Sequence, residues 1–335
     1  MYHNTTKGNS MRKLYILLLL SPFLLANELN ILSPRALNAE LVALFERQNN
    51  VKIVQTNDKL DSLIQKAKST GDVFITSDIS NIYKAKDAKI FSSTSSKTLQ
   101  ELVPEHLRDG VIYSFAKRAR IVAYNKKSKK TDKNLVKSYE DLAKPELKGK
   151  ILMRSANAPY SITLLASIIA NDGEKKAKEW AKGVFDNLAM QPEGGDRNQA
   201  KQVFEGKAEF AIMNTYYIGL LINSDKKDEK KVGNALQIIF PNQDSRGAHI
   251  NIAAMAMIKK SKNKELAQSF MEFMLSKEAQ QIIMNSSYQF PVRSDIELNP
   301  TVKAFGSFKE DKTPISKIAK NIQKAKAIYK ELGFE

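Results

Sequence analysis

The stretch AEFAIMNTYYIGLLIN, residues 208–223, carries an apolar, β-leaning segment into Asn214-Thr215, and an apolar helix-like segment follows. Asn and Thr are favoured helix N-cap residues, so Tyr216 and Tyr217 are expected to open a helix just past the end of a strand. In an open α/β sheet that edge is where ligands bind. Two adjacent phenols at such a junction suggest paired hard-oxygen ligands.

Outward from this junction the chain alternates. Residues 29–33, 51–55 and 72–76 read as strands, and the segments between them, 36–48 and 59–68, have helical periodicity. Strand, helix, strand at this spacing predicts parallel βαβ units. Residues 116–125 (AKRARIVAYN) read as a strand that is charged at its start, and 150–153 as a short strand. Pro159 suits the first turn of the helix that follows. Gly194-Gly195-Asp196 leads into a helix over 197–204, stopped by Gly206. Residues 225–231 read as an exposed charged loop, 236–240 and 250–258 as strands, and 264–275 and 278–283 as amphipathic helices. A last helix, near 316–332, is expected to pack on the first lobe.

The chain has 335 residues, 42% hydrophobic and 27% charged, enough for two lobes with separate cores. Its formal charge is +17, yet the lysines are interspersed with acids, and there is no nucleic-acid-binding motif. The charge therefore reads as a solvated lysine-rich surface with no nucleic-acid partner. Such a field also draws anions, anionic chelates included. The absence of cysteine removes disulfides, thiolate zinc sites and cysteine nucleophiles together. His3, His106 and His249 are too dispersed in sequence for a histidine-rich metal site. No catalytic triad, Walker, zincin or dinucleotide signature is present, so an enzyme is not expected.

Near the start, Met11-Arg12-Lys13 precedes an apolar run over 14–25, broken by Ser21-Pro22 and ending at Ala26. This reads as a secretory signal peptide over 1–26, cleaved near Ala26, with residues 1–10 an upstream extension. The run is too short for a permanent membrane anchor, and no cysteine is available for lipid attachment. A soluble, monomeric protein in the periplasm is expected.

The order of elements, with SYEDLAKPELKGKI, ELAQSFMEFMLSKEAQQIIM and QFPVRSDI, resembles the periplasmic binding proteins of ABC importers. The similarity is to class II, whose two lobes are joined by two crossing strands. More narrowly, RARIVAYN, RSANAPYSITLLASIIA and GGDRNQAKQVFEGKAEFAIMNTYYIG resemble the ferric-iron-binding proteins of that class. The general resemblance covers the mature chain; the narrow one rests on residues 116–220. It implies an α/β fold with a first lobe over 27–117 plus 243–335, including the carboxyl-terminal helices, and a second lobe over 118–242. It also implies Fe³⁺ held in the cleft by Tyr160, Tyr216 and Tyr217, an anion such as carbonate beside it, and delivery to an inner-membrane ABC permease.

The chemistry suits those residues. Fe³⁺ is a small, hard cation that prefers anionic oxygen. A free phenol ionises near about 10, so the ion must displace the protons as it binds. Helix starts at Tyr216-Tyr217 and Tyr160 add favourable partial charge. Arg118 and Arg120 point to one side of their strand, and either can present a bidentate fork to an anion or bridge an acid of the other lobe. Asn157, with the amides beside it, and Asn214 are further candidates for the anion. Asp78 ends a strand at the cleft, where it can cap a helix or offer an accessory oxygen.

Four positions depart from the resemblance. The first strand-to-helix loop reads Ser33-Pro34-Arg35-Ala36-Leu37-Asn38, and Ala36 and Leu37 stand where many relatives place a metal-ligating side chain. Gly195 replaces a frequent asparagine, and Pro159 removes one amide from the anion loop. The alternative is therefore a diverged receptor for a ferric chelate, phosphate or another small anion.

Overall fold

A computed structural model describes Met1 and residues 27–334; the expected signal peptide lies outside the described residues. Strands β1 (Asn27–Leu32), β2 (Val51–Thr56) and β3 (Val73–Ser77) are parallel, with β1 central. The first connecting helix, Ala39–Asn49, begins where the Asn38 side chain accepts from the Leu41 amide and ends at Asn50, φ 50°. It buries Leu41 and Phe45. Phe45 meets Phe270 of helix Lys264–Phe273 edge to face, centroids 5.1 Å apart, a pairing worth about 0.5–1.5 kcal/mol beyond burial.

The remaining strands are β4 (Phe91–Ser92), β5 (Tyr113–Asn125), β6 (Ile151–Leu152), β7 (Phe210–Asn214), β8 (Leu236–Ile239), β9 (Ile250–Ile258) and β10 (Phe290–Pro291). The strand order is β2-β1-β3-β9-β5-β7-β6. β9, sequence INIAAMAMI, is buried at all nine positions because β3 and β5 flank it and helices cover both faces. β5 divides the molecule into two lobes. Its first half pairs with β9 as far as Ala119, and its second half pairs with β7 from Arg120 onward. The strand thus changes sheets at Arg118–Arg120, where the two lobes meet. The returning chain passes beside this point: the Arg120 amide donates to the carbonyl of His249, one residue before β9.

Two local expectations change. The charged segment expected as a loop is largely helix Lys227–Ala235. Its only buried residues are Val232, Gly233 and Ala235, and Gly233 fits because a Cβ there would lie 2.5 Å from the Ile222 amide nitrogen. The carboxyl-terminal segment is two helices, Ile315–Ala319 and Ile322–Glu331. The last packs on the second lobe, not the first. Ala325, Ile328 and Tyr329 face helices Pro159–Asp172 and Glu174–Asp186. The Tyr329 hydroxyl donates to the Ser161 carbonyl (3.3 Å), and Phe185 stacks on Phe334 with centroids 3.5 Å apart. No helix of the described residues is long and apolar enough to cross a membrane.

Candidate functional site

A cleft of about 680 Å³ opens between the lobes where β5 crosses. Its second-lobe wall carries Tyr160, Tyr216, Tyr217, Arg118 and Arg154. The tyrosines arrive there by helix-start geometry. β7 ends at Asn214, and helix Thr215–Ile222 places Tyr216 and Tyr217 in its first turn. Pro159 opens helix Pro159–Asp172 at a position that needs no amide donor, and Tyr160 follows.

The phenols converge. The Tyr160 and Tyr216 oxygens lie 3.3 Å apart, and the Tyr216 and Tyr217 rings are 4.1 Å apart, tilted by 30°. Tyr160 and Tyr216 are each 8% exposed; Tyr217 is half-buried. Burial first, then the neighbouring Tyr160 and Tyr217, push the Tyr216 phenol well above its ordinary range. Burial and Tyr160 raise Tyr217 as well. These two hydroxyls therefore keep their protons at neutral pH until a cation displaces them, and a cation strong enough to do so gains a compact set of hard anionic oxygens. Among the described residues no three His, Cys, Asp or Glu side chains gather as metal donors.

Three guanidinium groups surround the Tyr160 ring: Arg154, Arg118 and Arg120, at 5.0, 5.4 and 5.7 Å from its centroid. The two strand arginines share a face, as expected, but the structure separates them. Arg120 turns inward and donates to Asp196 Oδ2 (2.7 Å), a buried pair within the second lobe. Arg118 lines the cleft and donates to Gln289 Oε1 at 3.3 Å, while its Nε and second terminal nitrogen have no protein partner. Asn157 is exposed and outside the cleft lining, its amide donating to Ser155 Oγ. Asn214 is fully buried; its amide donates to Asp196 Oδ2 (2.8 Å) and its side chain does not cap the helix. Asp78 caps helix Ile79–Asp87.

Sequence reasoning missed Arg154 and Asp196. Arg154 Nη1 stands 3.6 Å from Asp196 Oδ1, so Asp196 organises both arginines and the start of the tyrosine helix. The available signal was position: Arg154 follows β6, which is parallel to β7, at the ligand-binding edge of the sheet. Across the cleft, Arg35, Ala36 and Leu37 line the first-lobe wall, as the departing loop implied. The lining holds three arginines and no carboxylate.

Comparison with known proteins agrees with this architecture. The chain is 36% identical over 317 residues to iron uptake protein A1 of Synechocystis, covering 92% of this chain and 88% of that one. It superposes on the ferric binding protein from Campylobacter jejuni with TM-score 0.86 and 56% identity, covering 92% of this chain and all of the other. A Trichodesmium protein solved in complex with iron and citrate ligands matches with TM-score 0.88 and 34% identity over 92% of this chain and all of that one. Residues 68–309 match the family of bacterial extracellular solute-binding proteins, and the chain belongs to that family.

Proposed function

We propose that this protein is a periplasmic receptor that captures Fe³⁺ between its lobes through the phenolates of Tyr160, Tyr216 and Tyr217 and delivers it to an inner-membrane ABC permease. The observation that carries the reading is the convergence of three phenols on one cleft wall, two of their oxygens 3.3 Å apart. Three phenolates balance the charge of the ion. Arg118, which lines the cleft and has two guanidinium nitrogens without a protein partner, is the residue suited to hold carbonate or another small anion beside the metal. No covalent step is involved: the lobes close on the ion, and permease contact favours opening and release. Relatives described as an Fe(3+)-binding periplasmic protein of Serratia marcescens and as a Campylobacter ferric binding protein support this assignment. The purified protein is expected to show a visible phenolate-to-iron band that citrate or acid removes. The Tyr216→Phe, Tyr217→Phe double variant should be colourless; retained colour and affinity would refute the site.

One observation favours a second reading. Arg35, Arg118 and Arg154 face a cleft without carboxylates, and the first-lobe loop offers no metal donor at Ala36 or Leu37. An iron–polycarboxylate chelate would supply both the missing oxygens and the missing negative charge, as fits the iron and citrate held by the Trichodesmium relative. Calorimetry separates the two. Metal-stripped protein that binds ferric citrate far more tightly than iron with bicarbonate favours the chelate.

A further inference from the structure

Asp78 stands at the end of β3 with φ 86°, a conformation that non-glycine residues rarely adopt. It is 1% exposed. Its carboxylate caps the following helix by accepting from the Ser80 amide at 2.7 Å. That local role leaves further acceptor capacity, which is used by β9 and the opposite lobe. Asn251 Nδ2, on β9, donates to Oδ2 at 2.6 Å. Thr163 Oγ1, on the helix that carries Tyr160, lies 2.9 Å from Oδ1 and 3.2 Å from Oδ2. Asn251 is itself fixed: its Oδ1 accepts from the amides of Ile79 (3.1 Å) and Ile252 (2.8 Å). A first-lobe carboxylate thus grips the strand that pairs with β5 at its crossing point, where Asn251 lies opposite Arg118, and a second-lobe helix, at one buried point.

The threonine has an alternative. Its hydroxyl also lies 2.7 Å from the Pro159 carbonyl, four residues back on its own helix. A hydroxyl has one proton, so it serves either the carboxylate across the cleft or the carbonyl behind it. If the lobes part, the proton turns to Pro159 and no buried donor is stranded. Asp78 retains Ser80 and Asn251. The interlobe bond is therefore easily exchanged, while the strain at Asp78 marks a position held for a purpose beyond capping.

We propose that Asp78 and Thr163 form an exchangeable interlobe latch, with Asp78 a positioning residue that sets how closely the first lobe stands against the Tyr160 helix and hence how long the cargo is retained. Thr163 lies three residues after Tyr160, one turn along the same face, so the latch acts on that phenol through the helix. The inference rests on the proposed cleft ligands, and its test reports on the two separately.

The experiment uses metal-loaded full-length protein. Thr163→Val keeps the shape and removes the proton; iron release to excess citrate should accelerate about threefold to tenfold, below the full scale of a hydrogen bond to a charged group because Pro159 takes up the proton when the lobes part. Thr163→Ser should restore the original rate. Because the chain has no cysteine, Lys52→Cys and Lys182→Cys, one on each lobe, allow spin labels to report the interlobe distance. The distribution in loaded Thr163→Val should broaden toward larger values. Asp78→Asn should act in the same direction and replaces Thr163→Val should that variant not fold. Unchanged release and distances, or a lowered melting temperature with unchanged release, would overturn the latch. Loss of the iron band in the tyrosine double variant, with no effect of Thr163→Val, would leave the iron reading standing without it.

Discussion

On the proposed assignment, iron capture by this cleft should release about three protons per ferric ion, one for each phenol converted to a phenolate ligand. Burial and mutual proximity raise Tyr216 and Tyr217, so neither is ionised beforehand at neutral pH. Affinity should then fall about a thousandfold for each unit by which pH drops, three times about 1.36 kcal/mol or about 4 kcal/mol. Calorimetry of metal-free protein in two buffers of different ionisation enthalpy counts the protons directly. Chelator competition across a pH series gives the slope, once the chelator's own protons are subtracted with a blank. Tyr217→Phe should lower the count by about one. A count of one or less in the unaltered protein, or an unchanged count in Tyr216→Phe, would show that phenolates do not hold the metal.

Other perturbations test the scaffold. His249 is depressed to about 3 from 6.5 by burial first and then by Arg120, Arg118 and Arg246. The unfolded chain therefore gains a proton below about 6.5 that the folded ring refuses until about 3. Its contribution is fully present above the upper value and is lost as pH falls, by roughly 2–3 kcal/mol at two units below it. Urea unfolding of metal-free His249→Gln should show a shallower acid loss than the unaltered protein, and parallel curves would exclude the effect. Gly219→Ala should cost about 1–3 kcal/mol, since its Cβ would lie 2.5 Å from Tyr288 Cβ. An unchanged melting temperature would contradict that packing. Arg120→Ala should cost about 3–5 kcal/mol by stranding buried Asp196, whereas Arg118→Ala should mainly weaken iron retention. Equal stability losses in denaturant would reverse these roles.

The legible parts of the fold were those whose own residues state their environment. β9 reads directly because INIAAMAMI is apolar throughout, as a strand covered on both faces must be. The tyrosine junction reads from cap residues and the change of period at Asn214. The first-lobe wall reads from Ala36 and Leu37. What stayed hidden depended on partners distant in sequence. Parity placed Arg118 and Arg120 on one face but could not assign Asp196, 76 residues beyond Arg120, to the second of them. Helix Lys227–Ala235 was obscured by its charge, because its contact face needs only small residues against the tyrosine helix. The last helix shows an amphipathic stripe without showing which lobe offers the matching groove.

That last helix has a consequence for assembly. Helix Pro159–Asp172, which displays Tyr160, is covered in part by residues some 160 positions later, among them Tyr329. The second lobe therefore cannot complete its interior from its own continuous stretch; it needs helix Ile322–Glu331, made much later in the chain. Loss of helix Ile322–Glu331 would uncover the back of the helix that holds a candidate ligand, so that distant segment is a precondition for a finished cleft wall.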